Sequence, residues 1–281
     1  MLALDLRIVL TFILLVLAFA ALAAIWLDRR FWRNRFPLST LSSPDGSESQ
    51  LRPFLTDLAH ELRTPLAVLL THLEIQRSST VPNETKQESI RLLQAEARRM
   101  SQMVNNILEL GELETHGVSM RRPVNLYALA GDVVAESSPR AAERRMTLTL
   151  QADSNQMWVK GDEFRLKQVL LNLLDNALKY SRPQDRVTIS LERDKAQQQI
   201  ICVVRDTGPG IAAEHLPQLK RRFYRATREQ TVGSGLGLTL VDTILRLHES
   251  QLEIESKTDG ADLGTRMRFV LAMAVEMEHQ A

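Results

Sequence analysis

The chain has 281 residues and is almost neutral, with 35 Lys and Arg residues against 34 Asp and Glu residues. Nucleic-acid-binding domains normally carry a basic excess, so this balance predicts no nucleic-acid partner. The single cysteine, Cys202, excludes an internal disulfide framework and a cysteine-based metal site. Its apolar neighbours predict a small, buried side chain in a reducing compartment.

An apolar segment without charge, residues 8–27, lies near the amino terminus. At a rise of about 1.5 Å per residue, a helix of this length crosses a hydrocarbon core of roughly 30 Å. We therefore expect residues 1–34 to form a transmembrane anchor and its flank. A cleaved signal peptide is the alternative, but the segment exceeds the usual apolar length and arginines follow it. Those arginines predict that everything after the span is cytoplasmic.

A Ser-rich stretch, residues 35–50, predicts a flexible linker. From residue 51 to 76, leucines recur every three or four positions, which predicts an amphipathic helix. At 100° per residue, His60 lies roughly 160° from the centre of this stripe and should be exposed. Thr64 lies one turn further on at a similar angle, and Pro65 should kink the helix there.

Residues 80–84 interrupt this pattern, and a second amphipathic stretch follows, with its apolar stripe at Ile90, Leu93, Ala97, Met100, Val104, Ile107 and Leu108. The two stretches predict an antiparallel helical hairpin over residues 51–118. Each apolar stripe is narrow, and one hairpin cannot cover both. Two hairpins in a four-helix bundle can, so the sequence predicts a homodimer.

Residues 119–281 read as a mixed α/β domain. The predicted helices span residues 126–145, 163–180 and 235–249, and the predicted strands span residues 146–150, 186–192, 199–205, 251–256 and 265–271. Helices collected on one face of a mixed sheet would make an α/β sandwich.

Asn172 and Asn176 are four residues apart on the predicted helix 163–180, so they share one face. Their amide oxygens can complete the shell of a Mg²⁺ whose other ligands are phosphate oxygens and water. Lys179, one turn on, can offer charge to phosphate. The alternative is an ordinary polar stripe on an amphipathic helix, and by themselves the residues favour neither interpretation.

Two glycine-containing clusters follow. Asp206 ends a predicted strand and precedes Gly208 and Gly210; its carboxylate can accept from an adenine amino group, although Asp, Gly and Pro also make ordinary turns. Gly233 to Gly237 precede a helix, where exposed N–H groups can cradle phosphate. A Rossmann fingerprint is excluded because no strand leads directly into this second cluster. The polar residues between the clusters predict a mobile lid.

Residues 54–66, with the sequence FLTDLAHELRTPL, closely resemble the H-box of bacterial sensor histidine kinases. Residues 172–180 resemble the N-box of that family, and residues 206–211 and 233–238 resemble two of its glycine boxes. Residues 222–225 are similar to the F-box in part, with Lys220 and Arg221 where an aromatic and an acidic residue are usual. Gly264-Thr265 resembles the last glycine box.

The resemblance implies a HisKA-type domain with a GHKL ATPase domain of the Bergerat fold, and ATP and Mg²⁺ as cofactors. It implies that His60 is phosphorylated, with Glu61 as the base and Thr64 orienting a water for dephosphorylation of the partner. The residues expected at the nucleotide are Asn172, Asn176, Lys179, Tyr180, Asp206, Gly208, Gly210, Phe223, Arg225, Gly233, Gly235, Leu236, Gly237 and Thr265. Asn172 and Asn176 are also the expected metal ligands.

The expected partners are the receiver domain of a response regulator and a second copy of the chain, at the inner membrane of a bacterial cell. Membrane lipid or a membrane protein would supply the input through the single span. Two alternatives are a GHKL ATPase of the chaperone or mismatch-repair kind, and a membrane scaffold that binds nucleotide without turnover. The remaining histidines are expected to be surface or structural: His72, His116, His215, His248 and His279.

Overall fold

The structure, a computed structural model, describes residues 48–116, 122–226, 234–260 and 262–274. The predicted transmembrane segment, most of the predicted linker and Gly233 lie outside these ranges. Among the helices of the described ranges, none combines the length and the apolar character that a membrane crossing requires.

Two long helices precede an α/β region. In chain order the elements are α1 (Glu48–Arg77), α2 (Asn83–His116), β1 (Arg122–Asn125), α3 (Leu126–Glu143), β2 (Thr147–Ala152), β3 (Trp158–Gly161), α4 (Glu163–Tyr180), β4 (Arg186–Asp194), β5 (Gln199–Asp206), a 3₁₀ turn (Leu216–Gln218), α5 (Gly237–Leu247), β6 (Glu253–Lys257) and β7 (Gly264–Ala272).

The first two helices form the predicted hairpin. α1 begins at Glu48, three residues before the predicted start. The prediction missed these residues because they are polar and show no apolar period. α1 continues through Pro65 without interruption, and Pro65 is buried. The kink expected at Pro65 remains a prediction. Near the turn, Gln76 Nε2 donates to the Lys86 carbonyl at 2.6 Å and ties the helices together.

The apolar stripes of the hairpin are only partly covered within one chain. Of the predicted α1 stripe, Leu69 is buried, whereas Leu62 and Leu73 are half-buried. Large apolar side chains on both helices are exposed: Val68, Leu70, Ile90 and Leu92.

The buried positions of α2 differ from the predicted stripe. Met103, Leu110 and Leu113 are at most 4% exposed, whereas Ile90, which was predicted to be part of the stripe, is 44% exposed. The last turns of α2 therefore bury a different face. That face has a partner within the chain, because α2 contacts α5.

Five strands form a mixed sheet in the order β2-β4-β5-β7-β6. β2 is parallel to β4, and the other neighbouring pairs are antiparallel. Alternate side chains of β5 and β7 are buried, and α4 contacts β4 and β5 from the buried side. The α/β sandwich is thereby confirmed. Cys202 is fully buried on β5, as predicted, and burial raises the pKa of its thiol.

A second, two-stranded sheet pairs β1 with β3, and the sequence did not predict it. Both strands have four residues, which is too short for alternation to be visible, and β1 contains Pro123. This small sheet precedes α4, and Asp162 follows β3 directly. The Asp162 carboxylate caps α4 by accepting a hydrogen bond from Arg165 N at 3.1 Å.

Candidate functional site

α4 presents a polar edge to a cavity of about 680 Å³. Its buried side consists of leucines, valine and alanine, which anchor the helix on the sheet. Because that apolar stripe fixes the rotation of the helix, Asn172, Asn176 and Lys179 all reach the cavity wall. Tyr180 follows at the end of the helix, and Lys179 Nζ lies 4.7 Å from the centre of its ring.

The side-chain amide of Asn172 has a defined orientation. Its Nδ2 donates to the Gln168 carbonyl at 2.9 Å, which leaves Oδ1 as the free acceptor. Oδ1 lies 3.0 Å from the position that a Cβ would occupy on Gly237. An amide oxygen is a hard ligand of the type that Mg²⁺ prefers, so this donor set fits the predicted metal.

Asp206 ends β5 and contributes a fixed carboxylate to the cavity. Its Oδ1 accepts from Gly208 N at 2.9 Å and from Thr265 N at 3.2 Å. Burial raises the pKa of the Asp206 carboxyl above its ordinary value, and the two backbone hydrogen bonds act in the opposite direction. Since one oxygen is held by backbone, the other is available to a ligand in the cavity.

The start of β7 depends on Gly264. Its φ is +124°, and a Cβ there would lie 2.0 Å from the Asp206 carbonyl oxygen. Only glycine allows the two strands to come this close. This approach brings Thr265 N within hydrogen-bond distance of the Asp206 carboxylate. The glycine boxes at residues 206–211 and 264–265 therefore form one wall of the cavity.

The second glycine cluster leads into α5. Gly235 has a φ of +70°, and a Cβ there would lie 2.7–2.9 Å from backbone atoms of Phe223. Its carbonyl accepts from Phe223 N at 3.0 Å. α5 begins at Gly237 rather than at the predicted Gly235, because a residue in the left-handed region cannot be the first helical residue.

The cavity unites residues from segments far apart in sequence. The predicted residues that line it are Asn172, Asn176, Lys179, Tyr180, Asp206, Gly210, Arg225, Gly235, Gly237 and Thr265. Gly208, Phe223 and Leu236 do not line it, and Phe223 and Leu236 are 8% and 0% exposed. These three were expected to contact nucleotide, and that expectation stays a prediction.

Several lining residues were missed by the sequence analysis. His215 Nδ1 lies 2.8 Å from the Tyr224 hydroxyl, and both side chains line the cavity. Val204 and Met267 add apolar surface from β5 and β7; the alternation of those strands assigns them to the buried face but does not indicate a cavity. Gln102 and Asn106 reach the cavity from α2, for which the sequence carries no signal.

Lys220 departs from the usual F-box pattern and has a defined role here. Its Nζ lies 3.1 Å from Oδ1 of Asp242, a buried carboxylate on α5. Arg246 Nη2 pairs with the other oxygen at 2.8 Å. The Lys220 carbonyl also accepts from Thr239 Oγ1. The segment that leads into the lid is thus anchored on α5 by charge.

His60 is exposed on α1, as predicted, and so is Thr64 one turn later. Arg63 Nη1 lies 3.4 Å from His60 Nδ1. A guanidinium group can only donate, so Nδ1 is the acceptor and the neutral ring carries its proton on Nε2. Glu61 is half-buried beside it.

Two other histidines have structural partners. His72 Nδ1 lies 3.1 Å from Ser89 Oγ across the hairpin. His248 is buried: its Nε2 accepts from Asp162 N at 3.0 Å, and its Nδ1 donates to the Ile244 carbonyl at 2.8 Å. Their assignment as structural residues is confirmed.

Comparison with known proteins identifies two domains. Residues 50–116 match the His Kinase A (phospho-acceptor) domain model. Residues 161–275 match the model of histidine kinase-, DNA gyrase B-, and HSP90-like ATPases. The sensor protein SrrB of Staphylococcus aureus is 30% identical over 239 residues. That match covers 83% of this chain but 40% of SrrB.

Solved structures share the fold. The full-length histidine kinase ShkA, solved in complex with AMPPNP, superposes with a TM-score of 0.57 and 26% identity, over 79% of this chain and 46% of ShkA. Histidine kinase ThkA, solved with response regulator protein TrrA, gives a TM-score of 0.67 at 22% identity, over 80% of this chain and 63% of ThkA. With both domain models in this order, the chain belongs to the family of bacterial sensor histidine kinases.

Proposed function

We propose that the chain is an ATP-dependent protein-histidine kinase that phosphorylates itself on His60 and passes the phosphoryl group to an aspartate of a response regulator. The observation that carries this proposal is the cavity itself. Asn172 and Asn176, Asp206 and Gly235 come from three separate segments, and all line one cavity of suitable size for a nucleotide.

In this proposal the cavity holds ATP by its two ends. The Asp206 carboxylate accepts from the adenine amino group, and Val204 and Met267 cover the faces of the base. Backbone N–H groups near Gly235 and the charge of Lys179 hold the phosphates. Mg²⁺, bound through the amide oxygens of Asn172 and Asn176, would neutralise phosphate charge.

The reacting group is the imidazole of His60. A neutral ring nitrogen attacks the γ-phosphorus, the new N–P bond forms, and the bond to the bridging oxygen of ADP breaks. Glu61 accepts the proton from the other ring nitrogen. In the structure Nδ1 accepts from Arg63 and carries no proton, so attack by Nε2 first requires the tautomer with the proton on Nδ1, which Arg63 blocks. We therefore expect Arg63 to withdraw before the transfer.

The phosphohistidine then reacts with an aspartate of the regulator. ThkA, which has the same fold, is described in complex with a response regulator, and this supports a partner of that kind. Thr64 is exposed one turn beyond His60, where its hydroxyl can orient a water on the phosphorylated regulator. The same surface of α1 would thereby serve both kinase and phosphatase reactions.

The proposed assembly is a homodimer with a four-helix bundle. Leu70 and Leu92 are 51% and 43% exposed, and a second hairpin would cover apolar area of this kind. We further propose a single-pass protein of the bacterial inner membrane. The apolar, uncharged residues 8–27 and the arginines that follow support a cytoplasmic kinase. Its input would come from lipid or a membrane partner.

The test is transfer of label from [γ-³²P]ATP to the full chain, together with measurement of ADP binding. His60→Gln should bind ADP normally and take up no acid-labile label. Asn176→Ala should lose both binding and label. His72→Gln, the same change on the same helix, should label to within about twofold of the original chain, because the hydrogen bonds described for His72 are to Ser89 within the hairpin.

Three results would contradict the proposal in different ways. Equal label on His60→Gln would exclude His60 as the phosphorylated residue. ATP hydrolysis without protein label would favour an ATPase of the chaperone or mismatch-repair kind. ADP binding with neither label nor hydrolysis would favour the scaffold.

A further inference from the structure

Helix α2 contributes two amide side chains to the nucleotide cavity. Gln102 and Asn106 are four residues apart, so they lie on one face of the helix, and both line the cavity. No motif of the sequence pointed to either residue. Their position makes part of the predicted phosphoacceptor domain a wall of the predicted ATP site.

Asn106 makes the more specific contact. Its Nδ2 donates to Ser234 Oγ at 3.2 Å, and Ser234 is 8% exposed. The same hydroxyl oxygen accepts from Leu236 N at 3.3 Å. Ser234 therefore joins α2 to the turn that precedes α5, and Gly235 of the phosphate cradle lies between Ser234 and Leu236 in sequence.

On the α4 side, α2 is held beside Asn106 by a polar network. Glu109 accepts from Gln168 Nε2, and Arg165 bridges Gln168 Oε1 at 3.1 Å and Glu112 at 3.7 Å. Gln168 is also the residue whose carbonyl orients the Asn172 amide.

On another side, Glu114 pairs with Arg222, which precedes the second glycine cluster in sequence. α2 is thus attached to the ATPase half on two sides, and both attachments follow Asn106 on the same helix. Because these contacts hold α2 in place, the Asn106 side chain can fix the position of Ser234.

We propose that Asn106 is a positioning residue of the nucleotide site: through Ser234 it holds Gly235 in the conformation that receives the phosphates. The inference rests on the proposed function, since it assumes nucleotide in this cavity. It makes nucleotide affinity dependent on the position of α2. By linkage, bound nucleotide strengthens the attachment of α2 by the same factor.

A contact that merely stabilises the fold would behave differently. Its loss would lower the unfolding temperature equally with and without nucleotide, and the affinity for ADP would stay unchanged. A positioning contact lowers the affinity, because the glycine cluster must then be ordered when nucleotide binds.

The experiment measures binding of ADP with Mg²⁺ to the full chain. Asn106→Ala removes one neutral hydrogen bond, a loss that corresponds to about fivefold weaker binding. Asn106→Leu keeps the branching at Cγ and raises the helix propensity but cannot donate, so it should show the same loss in a well-folded chain. Asn105→Ala is the matched control, because Asn105 is the exposed neighbour on the same helix, and it should bind within twofold of the original chain.

Ser234→Ala completes a double-mutant cycle. If Asn106 acts through Ser234, the double variant should bind ADP no more weakly than Ser234→Ala alone. Additive losses would overturn the inference. So would unchanged affinity in Asn106→Ala and Asn106→Leu while the original chain binds ADP. Failure of the original chain to bind ADP would instead overturn the proposed function.

Discussion

The role of Asp206 can be tested by Asp206→Asn, which keeps the shape of the side chain. In the original chain Oδ1 accepts from two backbone N–H groups, at 2.9 Å from Gly208 and 3.2 Å from Thr265. Those donors will select the oxygen of the asparagine amide. The NH₂ group is then forced to the side of the cavity, where the other carboxylate oxygen was. A donor now faces the adenine amino group, which is also a donor.

The expected loss follows from this geometry. A hydrogen bond to a charged acceptor contributes about 1.5–3 kcal/mol, which corresponds to roughly 10- to 150-fold weaker ADP binding. Titration calorimetry with ADP and Mg²⁺ measures it directly. The amide can donate to the 6-oxo group of hypoxanthine, so IDP should lose much less affinity than ADP, and the preference for adenine should fall.

Asp185→Asn is the control for charge alone. Asp185 lies close enough to raise the pKa of Asp206, but it does not line the cavity. We expect ADP affinity within about threefold of the original chain, because a partly screened charge outside the cavity has little effect on the ligand. If Asp206→Asn bound ADP as tightly as Asp185→Asn does, the placement of adenine at Asp206 would be wrong.

The pH dependence of stability has a defined sign. Burial raises the folded-state pKa of Asp206 above its unfolded value. The stability from its protonated form is fully present below the unfolded pKa and is lost as pH rises through the folded pKa. Asp206→Asn cannot ionise, so its stability relative to the original chain should rise across that window and then level off. Thermal unfolding without nucleotide tests this, and a constant difference across the window would refute it.

Four further predictions concern other parts of the molecule. Thr64→Ala should keep labelling of His60 while losing dephosphorylation of the regulator; equal loss of both would contradict the separate role of Thr64. Gly264→Ala should cost well over 2 kcal/mol of unfolding free energy, because its Cβ would lie 2.0 Å from a carbonyl oxygen, whereas Gly260→Ala, with nothing within 4 Å, should cost only about 1–2 kcal/mol for its positive φ. Gly131→Ala, in α3 with nothing within 4 Å of the new Cβ, should raise the unfolding free energy by about 0.5–1 kcal/mol in chemical denaturation. Cys202 should react with iodoacetamide only after unfolding, because burial raises the pKa of its thiol and hides the sulfur; rapid labelling of the native chain would refute this.

Much of the fold could be predicted because its signals are local. The apolar period of residues 163–180 predicted α4, and the apolar run within residues 199–205 predicted β5 to within one residue. The exposure of His60 followed from its angle on a helix. In each case a neighbouring residue within one or two turns carries the information.

Other features were invisible because they depend on contacts between distant segments. β1 and β3 are too short to show a period, and they become strands only by pairing with each other. The predicted α2 stripe missed Leu113, which is buried because α2 contacts the ATPase half. Phe223 is 8% exposed because its backbone packs against Gly235, and the sequence carries no sign of that contact.

The sequence by itself determined the chemistry: His60 in its motif, the paired asparagines of α4, Asp206 at a strand end and the glycines near α5. These are short motifs that can be recognised from their residue types and spacing. Only the tertiary structure decided which residues share one cavity. It joined Asp206 to Thr265 through the close approach at Gly264, and it brought Asn106 of α2 to Ser234. Such contacts are determined by how the helices and the sheet pack, so the order of residues along the chain does not reveal them.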